Sequence, residues 1–498
     1  MKIYSSTIGR LFIAAGMLTV PASCSLEEAN VNPNASTEVS VSAVLTGAEV
    51  ALGFNLGVNA GLIANIYIQQ ASGANGDAAS FDNYASSTQY FNQTWRGFYV
   101  EVLDELKIVR TTAAQRQLPY YSGISRVLSV YAYGTLTDLF GDIPYKESLY
   151  GNNITNPVYD KQEAIYKSLQ EQLDSAITEL SQPAANNLGA LPATDDVIYG
   201  GNIERWKSLA YTLKARYAIH LTKINSTTAA QAVLNALYDG TRYRGIADNS
   251  ADALVVFGAA TTNANPFYQQ NTNRPGWIGL GASFVNLLNG NEVTDAPTKP
   301  EGLFVDPRRA YFATPYPAGS NTYRGSAPGV PGAFSVIGSY YGTATSPVVI
   351  SSFSEAKFLE AEARWRINPA DPLAKTALEA AIRASFQRVL TNPADPYATP
   401  EKQQAYITAK AILNGDSGGD LKALITQKYI ALFLQPEAWT DYRRTGYPAL
   451  PLAKNATSVA NPNGQIPRRI PYPQNEQSLN KNTPAASGYQ TPALWWDK

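Results

Sequence analysis

The residues from Gly415 to Gly419 spell Gly-Asp-Ser-Gly-Gly, the sequence that surrounds the nucleophilic serine of chymotrypsin-like proteases. A serine nucleophile of this type needs a histidine as its general base. The chain has one histidine, His220, which falls in an amphipathic helical pattern and not in a β-barrel context. We therefore interpret Ser417 as part of a turn between two helices, and His220 as a core or interface residue.

The sequence around Ser417 also has the chemistry of a turn. Helical patterns lie on both sides, in PEKQQAYITAKAILN before it and in LKALITQKYIALFL after it. Gly415 falls where the C-terminal cap of a helix favours a positive φ. Asp420 falls where a carboxylate can accept hydrogen bonds from the first N–H groups of the following helix.

Other arrangements that carry chemistry are missing from the sequence. There is no His-Glu-x-x-His, no Gly-x-Ser-x-Gly other than residues 415–419 themselves, no phosphate-binding glycine loop and no cluster of cysteine and histidine. The sequence therefore predicts no catalytic residue, no metal site and no cofactor. A glycosidase pair of carboxylates stays open, because the 40 aspartates and glutamates offer many pairs whose geometry a sequence does not show.

The composition excludes several classes of protein and is rich in aromatic residues, most of which we expect in the core. Charged residues make up 16% of the 498 residues and the net charge is −1, which argues against a nucleic-acid binder and a polybasic membrane binder. Apolar residues reach 45%, which excludes a disordered chain. The 31 tyrosines and 7 tryptophans can fill a core or stack on flat ligands and sugar rings.

The N-terminal residues predict an exported lipoprotein. Residues 11–20, LFIAAGMLTV, form an uncharged run with the length of a signal-peptide core, too short to span a bilayer. Cys24, the one cysteine of the chain, follows this run closely. We predict a lipoprotein signal peptide at residues 1–23, lipid attachment at Cys24 and a lipidated tether at residues 24–39. Pro21 departs from the usual lipoprotein pattern, and a secreted protein without a lipid is the alternative.

From about residue 40 onwards the sequence has helical periodicity. Apolar residues recur at the spacing of a helix face in residues 163–180, 204–221 and 421–434. Residues 258–350 and 446–498 interrupt this pattern and are rich in proline, asparagine and, in the first case, glycine. The sequence therefore predicts a mainly α, single domain over residues 40–498, with an irregular insert at 258–350 and an irregular C-terminal wrap at 446–498.

Three stretches are similar to signature segments of the SusD/RagB family of outer-membrane lipoproteins. They are SVYAYGTLTDLFGDIPYKESL (129–149), SFSEAKFLEAEARWR (352–366) and QKYIALFLQPEAWTDYRRTGYP (427–448). Residues 196–217, DPRR (306–309), IPRRIPYP (466–473) and the terminal WWDK also resemble the family. The segments occur in the expected order over nearly the whole mature chain, which is therefore identified as SusD-like.

The resemblance implies a SusD-like α-helical fold with tetratricopeptide-like helix pairs and a long, irregular, loop-rich region that faces the ligand. It implies a protein without enzymatic activity on the exterior of a Bacteroidetes-type outer membrane, held by outer-membrane lipid through acylated Cys24. It also implies a partner, a SusC-like TonB-dependent transporter, to which an oligosaccharide is passed. A peptide or other non-sugar nutrient, a surface glycan hydrolase and a scaffold that only stabilises the transporter remain alternatives.

Two of these signature segments have a structural interpretation. Gly141 can end a helix, Asp142 can accept hydrogen bonds in the following turn and Pro144 prevents the helix from continuing. In EAWTDYRRTGYP, the charged residues can form a buried ion-pair network beside Trp439. The charged residues concerned are Glu437, Asp441, Arg443 and Arg444. We expect both segments to define the fold and not to bind the ligand.

Aromatic and polar residues meet outside the helical patterns in two stretches, where we expect the ligand. Sugar rings need aromatic platforms with hydrogen-bonding side chains nearby. The two stretches contain Phe81, Asp82, Asn83, Tyr84, Tyr90, Asn92 and Trp95, and Tyr268, Asn271, Arg274, Trp277, Tyr340 and Tyr341. The predicted ligand-binding residues are Asn83, Tyr84, Trp95, Arg274, Trp277, Tyr340 and Tyr341. Trp277 and Tyr84 stand out, because each lies in polar, loop-like sequence where a core role is harder to support.

Overall fold

Most of the chain is helical in the computed structural model, which describes residues 40–498 except 298, 331, 333, 393, 460, 486 and 487. Cys24, the predicted signal peptide and the predicted tether lie outside the described residues. Residues from Val41 to Lys498 form one compact unit around a large hydrophobic core. The mainly α-helical fold is confirmed, and the tetratricopeptide-like arrangement of its helix pairs stays a prediction.

The helices have the following bounds. They are α1 (Val41–Phe54), α2 (Leu62–Tyr67), α3 (Gly76–Asp82), α4 (Asn92–Arg96), α5 (Asp104–Gln115), α6 (Pro119–Phe140), α7 (Gln162–Leu180), α8 (Ile203–Ile219), α9 (Ser226–Leu237), α10 (Pro266–Asn273), α11 (Ala282–Leu288), α12 (Arg309–Phe312), α13 (Ser339–Gly342), α14 (Phe353–Ile367), α15 (Pro372–Val389), α16 (Pro400–Lys410), α17 (Ser417–Ala431), α18 (Glu437–Thr445) and α19 (Gln474–Leu479). Helices that follow one another in sequence pack together from α5 to α9, and α14 packs on α15.

Short strands form three antiparallel pairs within the described residues. The strands are β1 (Ala71–Gly73), β2 (Tyr238–Asp239), β3 (Arg242–Tyr243), β4 (Ala253–Val255), β5 (Ile278–Leu280) and β6 (Val348–Ser351). β1 pairs with β5, β2 with β3 and β4 with β6. The first and third pairs join parts of the chain that are far apart in sequence, and so they position the loops between helices.

The apolar faces of the predicted helices are buried as expected. In α7, Ile165, Leu169 and Leu173 have no exposed surface, which follows from their spacing of four residues on one face. The close approach of α6 to α7 depends on Gly123, because a Cβ there would lie 2.6 Å from the Cγ of Leu180.

One helical stretch among the described residues, Val41–Tyr67, is long and apolar enough to cross a membrane by length and composition alone. A buried helix of a protein core passes the same test. Leu45, Leu52 and Ile66 are fully buried in the hydrophobic core, which accounts for the apolar character of this stretch.

The segment predicted as an irregular insert contains short elements. Residues 258–350 include α10 to α13, β5 and most of β6, separated by turns. The C-terminal segment, residues 446–498, holds α19 and a final 3-10 turn at Trp495–Asp497. The guanidinium of Arg469 donates to the carbonyl oxygen of Phe140, and Trp496 is fully buried. The C-terminal segment therefore anchors the end of α6.

The Gly-Asp-Ser-Gly-Gly segment is a turn between α16 and α17, as predicted. Gly415 has a φ of 85°. The cap residue differs from the expected one, since Asp416 accepts from the N–H of Gly418 at the start of α17. Asp420 instead accepts from the N–H groups of Asn414 at 2.7 Å and Gly415 at 2.8 Å. Its carboxylate closes the turn from within α17.

The predicted ion-pair network around α18 is present and buried. The guanidinium of Arg444 pairs with Glu362 and with Asp441, and Lys428 Nζ lies 2.8 Å from Asp441 Oδ2. Arg443 differs from the expectation, because its guanidinium donates to backbone carbonyls and lies 3.8 Å from the centroid of the Trp439 ring. Each buried charge therefore has a partner, which is the condition for tolerating it in a core.

His220 is a core residue, as predicted. Its ring is fully buried, with Nδ1 2.8 Å from Tyr166 Oη and Nε2 2.9 Å from Glu437 Oε1. Burial alone would raise the pKa of Glu437, but His220 and Arg216 outweigh burial and lower it to about 2. Both ring nitrogens of buried His220 have partners other than Ser417, which is exposed at the start of α17, so the two side chains do not form the hydrogen bond of a catalytic pair.

Candidate ligand-binding site

The pairing of β1 with β5 brings the two predicted ligand-binding stretches together. Ala71 lies opposite Leu280 in this pair, and the ladder continues where the N–H of Ala74 donates to the carbonyl of Trp277 at 2.8 Å. Asn75 Nδ2 also donates to the carbonyl of Gly276 at 2.9 Å. Helices α3 and α10, which flank these strands, therefore face one another.

A groove of about 900 Å³ lies where α3 and α10 meet the helices of the N-terminal region. We call it the amide groove, because seven asparagine and glutamine side chains line it. Its lining residues are Gly47, Val50, Ala51, Phe54, Asn55, Val58, Asn59, Leu62, Ile63, Asp77, Ala78, Phe81, Gln89, Tyr90, Gln93, Thr94, Glu101, Pro266, Gln269, Gln270, Asn273 and Arg274. A cavity of this size with convergent polar groups has the dimensions of a small-molecule site.

Two wide, π-type helical turns contribute to the groove. Residues Asn55–Gly61 join α1 to α2, and residues Gly97–Leu103 join α4 to α5. The turns approach closely at Gly97, where a Cβ would lie 1.8 Å from Asn55 Oδ1. Asn55 Nδ2 donates to the carbonyl of Ala51 at 2.9 Å, and Asn55 Oδ1 accepts from Asn59 Nδ2 at 2.7 Å. Turns of this kind occur frequently at functional sites, because they redirect side chains within a helix.

Arg274 is the cation that lines the α10 side of the groove. Its guanidinium lies 4.5 Å from the centroid of the Trp277 ring and 3.6 Å from Asp77 Oδ2. Trp277 is half-buried and packs against Gly76. Its ring contacts the Arg274 guanidinium but does not itself line the groove. Stacking on an aromatic ring holds a guanidinium in one orientation.

The aromatic ring that the groove exposes most is that of Tyr90. The Tyr90 side chain is 38% exposed, and its ring meets that of buried Phe81 edge to face at 5.9 Å. Buried Phe81 thus holds the exposed ring in place. A fixed, exposed tyrosine beside amide side chains can bind both the apolar face and the hydroxyl groups of a sugar ring.

Asp82, at the end of α3, anchors this helix in the core. Its Oδ2 accepts from the N–H of Gly329 at 2.7 Å, and the N–H of Gly73 also donates to the carboxylate. Burial raises the pKa of Asp82 to about 7, and these two N–H groups only partly oppose the effect. The carboxylate thereby joins β1, α3 and the loop at residue 329, and it positions the Asp77 and Phe81 side chains of the groove.

Three of the predicted ligand-binding residues, Tyr84, Trp95 and Tyr341, are buried, and Tyr84 and Tyr341 are so almost completely. Tyr84 is 1% exposed and its ring meets that of Tyr67 edge to face, so the expectation that it lies outside the core is wrong. The cause is local, since Tyr84 has a φ of 53°, and the chain turns inward after α3. Tyr341 is 2% exposed and stacks on Phe312, and therefore belongs to the core as well.

The remaining predicted residues lie near the groove without lining it. Asn83 is half-buried at the end of α3, and its Nδ2 donates to the carbonyl of Ala79. Tyr340 is half-buried on α13, where its ring packs edge to face on Tyr341. Trp95 is 9% exposed and faces a separate cleft on the other side of α4. Of the predicted residues, Arg274 alone lines the amide groove.

The sequence did not predict most residues of the amide groove, because they lie on helices and the candidates were sought outside the helical patterns. Asn55 and Asn59 interrupt the apolar stretch 41–67 at a spacing of four residues, which is the signal that places them on one side of a helix. Tyr90 belongs to the first predicted stretch, and its exposure distinguishes it from Tyr84. Helices α1, α3 and α10 meet at the groove although they are far apart in the chain, and no local sequence pattern predicts that they meet.

The chemistry of the groove favours a neutral, hydroxyl-rich ligand. Each amide side chain offers both donors and an acceptor, which match the hydroxyl and acetamido groups of sugars. The charged residues of the lining are Asp77, Glu101 and Arg274, and each takes part in an ion pair. Within the described residues, no three histidine, cysteine, aspartate or glutamate side chains come together as a metal site would require.

Comparison with known proteins agrees with this architecture. The profile of a SusD-like family, described as starch-binding and associating with the outer membrane, matches residues 33–473. No curated protein matches the sequence. A SusD/RagB family protein from Bacteroides thetaiotaomicron has a similar structure, with a TM-score of 0.73 at 21% identity over 92% of this chain and 99% of that chain.

A chitin-binding SusD homologue from Flavobacterium johnsoniae is similar as well. Its TM-score is 0.73 at 23% identity, over 91% of this chain and 98% of that one. A further protein, described as chitin-binding, has a TM-score of 0.74 at 23% identity over 92% of this chain and its own full length. At these identities the likeness establishes the fold, and the ligands named belong to those proteins.

Proposed function

We propose that this chain, which belongs to the SusD-like family of starch-binding proteins associated with the outer membrane, binds an oligosaccharide nutrient in the amide groove. The observation that carries the proposal is the groove itself, where seven amide side chains, one exposed tyrosine and one aromatic-backed arginine converge. Chitin-type and starch-type oligosaccharides are the first candidates, because solved relatives and the family description name them.

The proposal extends to how the protein works on the cell surface. Acylated Cys24 would hold it on the exterior of the outer membrane, and residues 24–39 would act as the tether. The bound glycan would pass to a SusC-like TonB-dependent transporter. The protein would bind the glycan without cleaving it, as membership of this family of binding proteins favours.

Calorimetric titration of the purified protein with soluble oligosaccharides tests the proposal. N-acetylglucosamine and α-1,4-glucose oligomers are the first probes. We expect Tyr90→Ala to weaken binding of the preferred glycan by about tenfold, since stacking on an aromatic ring contributes roughly that much. Tyr90→Phe keeps the ring and should bind nearly as well. Leu303→Ala serves as the surface control, because Leu303 is 88% exposed and does not line the groove.

The possible outcomes separate the alternatives. Binding of peptides and not of glycans by the folded protein would replace the sugar by a peptide nutrient. Appearance of shorter oligosaccharides during incubation would show a hydrolase. Glycan binding that is unchanged in both Tyr90→Ala and Arg274→Ala would place the ligand elsewhere on the molecule.

A further inference from the structure

A second cleft lies on the other side of the helical segment that borders the amide groove. Residues 92–103, which we call the ridge, comprise α4 and the π-type turn after it. Gln93, Thr94 and Glu101 of the ridge line the amide groove. Trp95 and Tyr99 of the same ridge line the second cleft, which has a volume of about 550 Å³. We call it the tyrosine cleft.

Tyr150 gives the tyrosine cleft an exposed aromatic ring. Half of its side chain is exposed, and the ammonium group of Lys107 lies 4.7 Å from the centroid of its ring. Lys107 Nζ also donates to the carbonyl of Leu149. This hydrogen bond fixes the ammonium group, whose contact with the Tyr150 ring stabilises the position of that ring. Such an exposed, supported ring has the form of a stacking platform for an apolar ligand face.

The wall opposite Tyr150 is aromatic as well. The Trp95 and Tyr99 rings pack at a centroid distance of 4.9 Å, and Tyr99 Oη donates to the carbonyl of Pro144 at 2.6 Å. Trp95 also lies 5.0 Å from Phe140, edge to face. Both rings are more than nine-tenths buried, so the core holds this wall in place, and a wall held in advance lowers the entropic cost of binding.

Carboxylates supply hydrogen-bond acceptors around these rings. Glu147 Oε2 accepts from the N–H of Val158 at 3.0 Å, and Glu476 Oε2 accepts from Tyr159 Oη at 2.8 Å. A carboxylate has about four lone-pair sites, so each retains capacity for further donors. Sugar hydroxyl groups are donors of this kind, and their hydrogen bonds to charged acceptors are stronger than those between neutral groups.

The shared ridge makes the two clefts neighbours. A helix with its side chains is about 10–12 Å across, so a ligand must extend over several sugar units to occupy both sides of the ridge. A disaccharide fits on one side only. Ligand length therefore distinguishes one cleft from two.

We infer that the tyrosine cleft is a second glycan subsite, which engages the far end of an oligosaccharide already held in the amide groove. This inference rests on the proposed function. The second contact raises the affinity for long chains through a high effective concentration and leaves the affinity for short chains unchanged.

Titration of the full protein with hexamers and dimers of one sugar tests the inference. N-acetylglucosamine oligomers are used first and α-1,4-glucose oligomers second. Tyr150→Ala is expected to weaken hexamer binding by about tenfold and to leave dimer binding unchanged. Tyr150→Phe is the matched control, which retains the ring and should retain the affinity. Tyr90→Ala is expected to weaken both ligands, because both occupy the amide groove.

Each other outcome overturns a definite part of the argument. If Tyr150→Ala leaves hexamer binding unchanged, or weakens hexamer and dimer equally, the tyrosine cleft is not a second subsite. If the wild-type protein binds both oligomers, Tyr90→Ala weakens the binding of both and Tyr150→Ala weakens the binding of neither, the proposed function stands without this inference. If the wild-type protein binds neither series, the proposed function falls and the second subsite with it. Thermal denaturation of Tyr150→Ala confirms that the variant is folded.

Discussion

Replacing Asp82 with asparagine should flatten the dependence of protein stability on pH. The pKa of the buried Asp82 carboxyl is raised from 3.8 to about 7, chiefly by burial. Between these two values the folded protein holds a proton that the unfolded chain releases. The stability that this proton contributes is fully present below pH about 4 and is lost as the pH rises through about 7.

The size of the effect follows from the same two values. One pKa unit corresponds to about 1.4 kcal/mol, so a shift of about three units contributes on the order of 4 kcal/mol at its largest. Between about pH 5 and pH 8, the wild-type protein loses about 3 kcal/mol of this contribution to its free energy of unfolding. Other buried carboxyls also titrate, and for this reason the informative quantity is the difference in slope between wild type and variant.

Urea denaturation at a series of pH values measures these slopes. Asp82→Asn is expected to be less stable than wild type at low pH, and the difference should shrink by about 3 kcal/mol towards about pH 8. Asn83→Ala is the control, because Asn83 neighbours Asp82 at the end of α3 and does not titrate. Parallel curves for wild type and Asp82→Asn would refute the reasoning, since they would mean that Asp82 titrates alike in the folded and unfolded chain.

Two further predictions concern the groove and the core. Gly97→Ala should destabilise the protein by about 2 kcal/mol in thermal denaturation, because its Cβ meets Asn55, whereas Gly47→Ala, which meets nothing within 4 Å, should not. Equal melting temperatures for the two variants would contradict this close approach. Arg444→Met should cost about 3 kcal/mol in urea denaturation, since it removes the guanidinium that two buried carboxylates share and leaves Glu362 with Arg366 alone and Asp441 with Lys428 alone. Arg96→Met, which breaks an exposed pair, should cost less than about 1 kcal/mol, and a similar cost for both would show that burial does not govern these pairs.

Local sequence predicts the helices well and the groove poorly. The buried face of α7 and the turn at Ser417 follow from periodicity and turn chemistry, which act over a few residues. The pairing of β1 with β5 joins segments about two hundred residues apart, and three-residue strands leave no pattern that identifies a partner. The sequence therefore indicates the segments around α3 and α10, and shows neither that they meet nor that α1 completes the groove.

The prediction for Tyr84 failed for a different reason. Polar neighbours suggested a loop on the surface, but exposure depends on where the backbone turns, and the positive φ of Tyr84 is a property of one residue. Tyr90, six residues later in the same kind of sequence, remains exposed. Residue type alone does not separate the two tyrosines, because the turn of the backbone at Tyr84 directs its ring towards Tyr67 in the core.

The single histidine of the chain provides a spectroscopic reporter of the folded core. His220 contacts Tyr166 of α7, Glu437 of α18 and, at a ring distance of 5.9 Å, Trp496 near the C-terminus. In protein with selectively labelled histidine, the one imidazole gives one set of NMR signals, which needs no variants for its assignment. A form in which the C-terminal segment had detached would appear as a second imidazole resonance, so the integrity of three distant parts of the chain can be followed at a single ring.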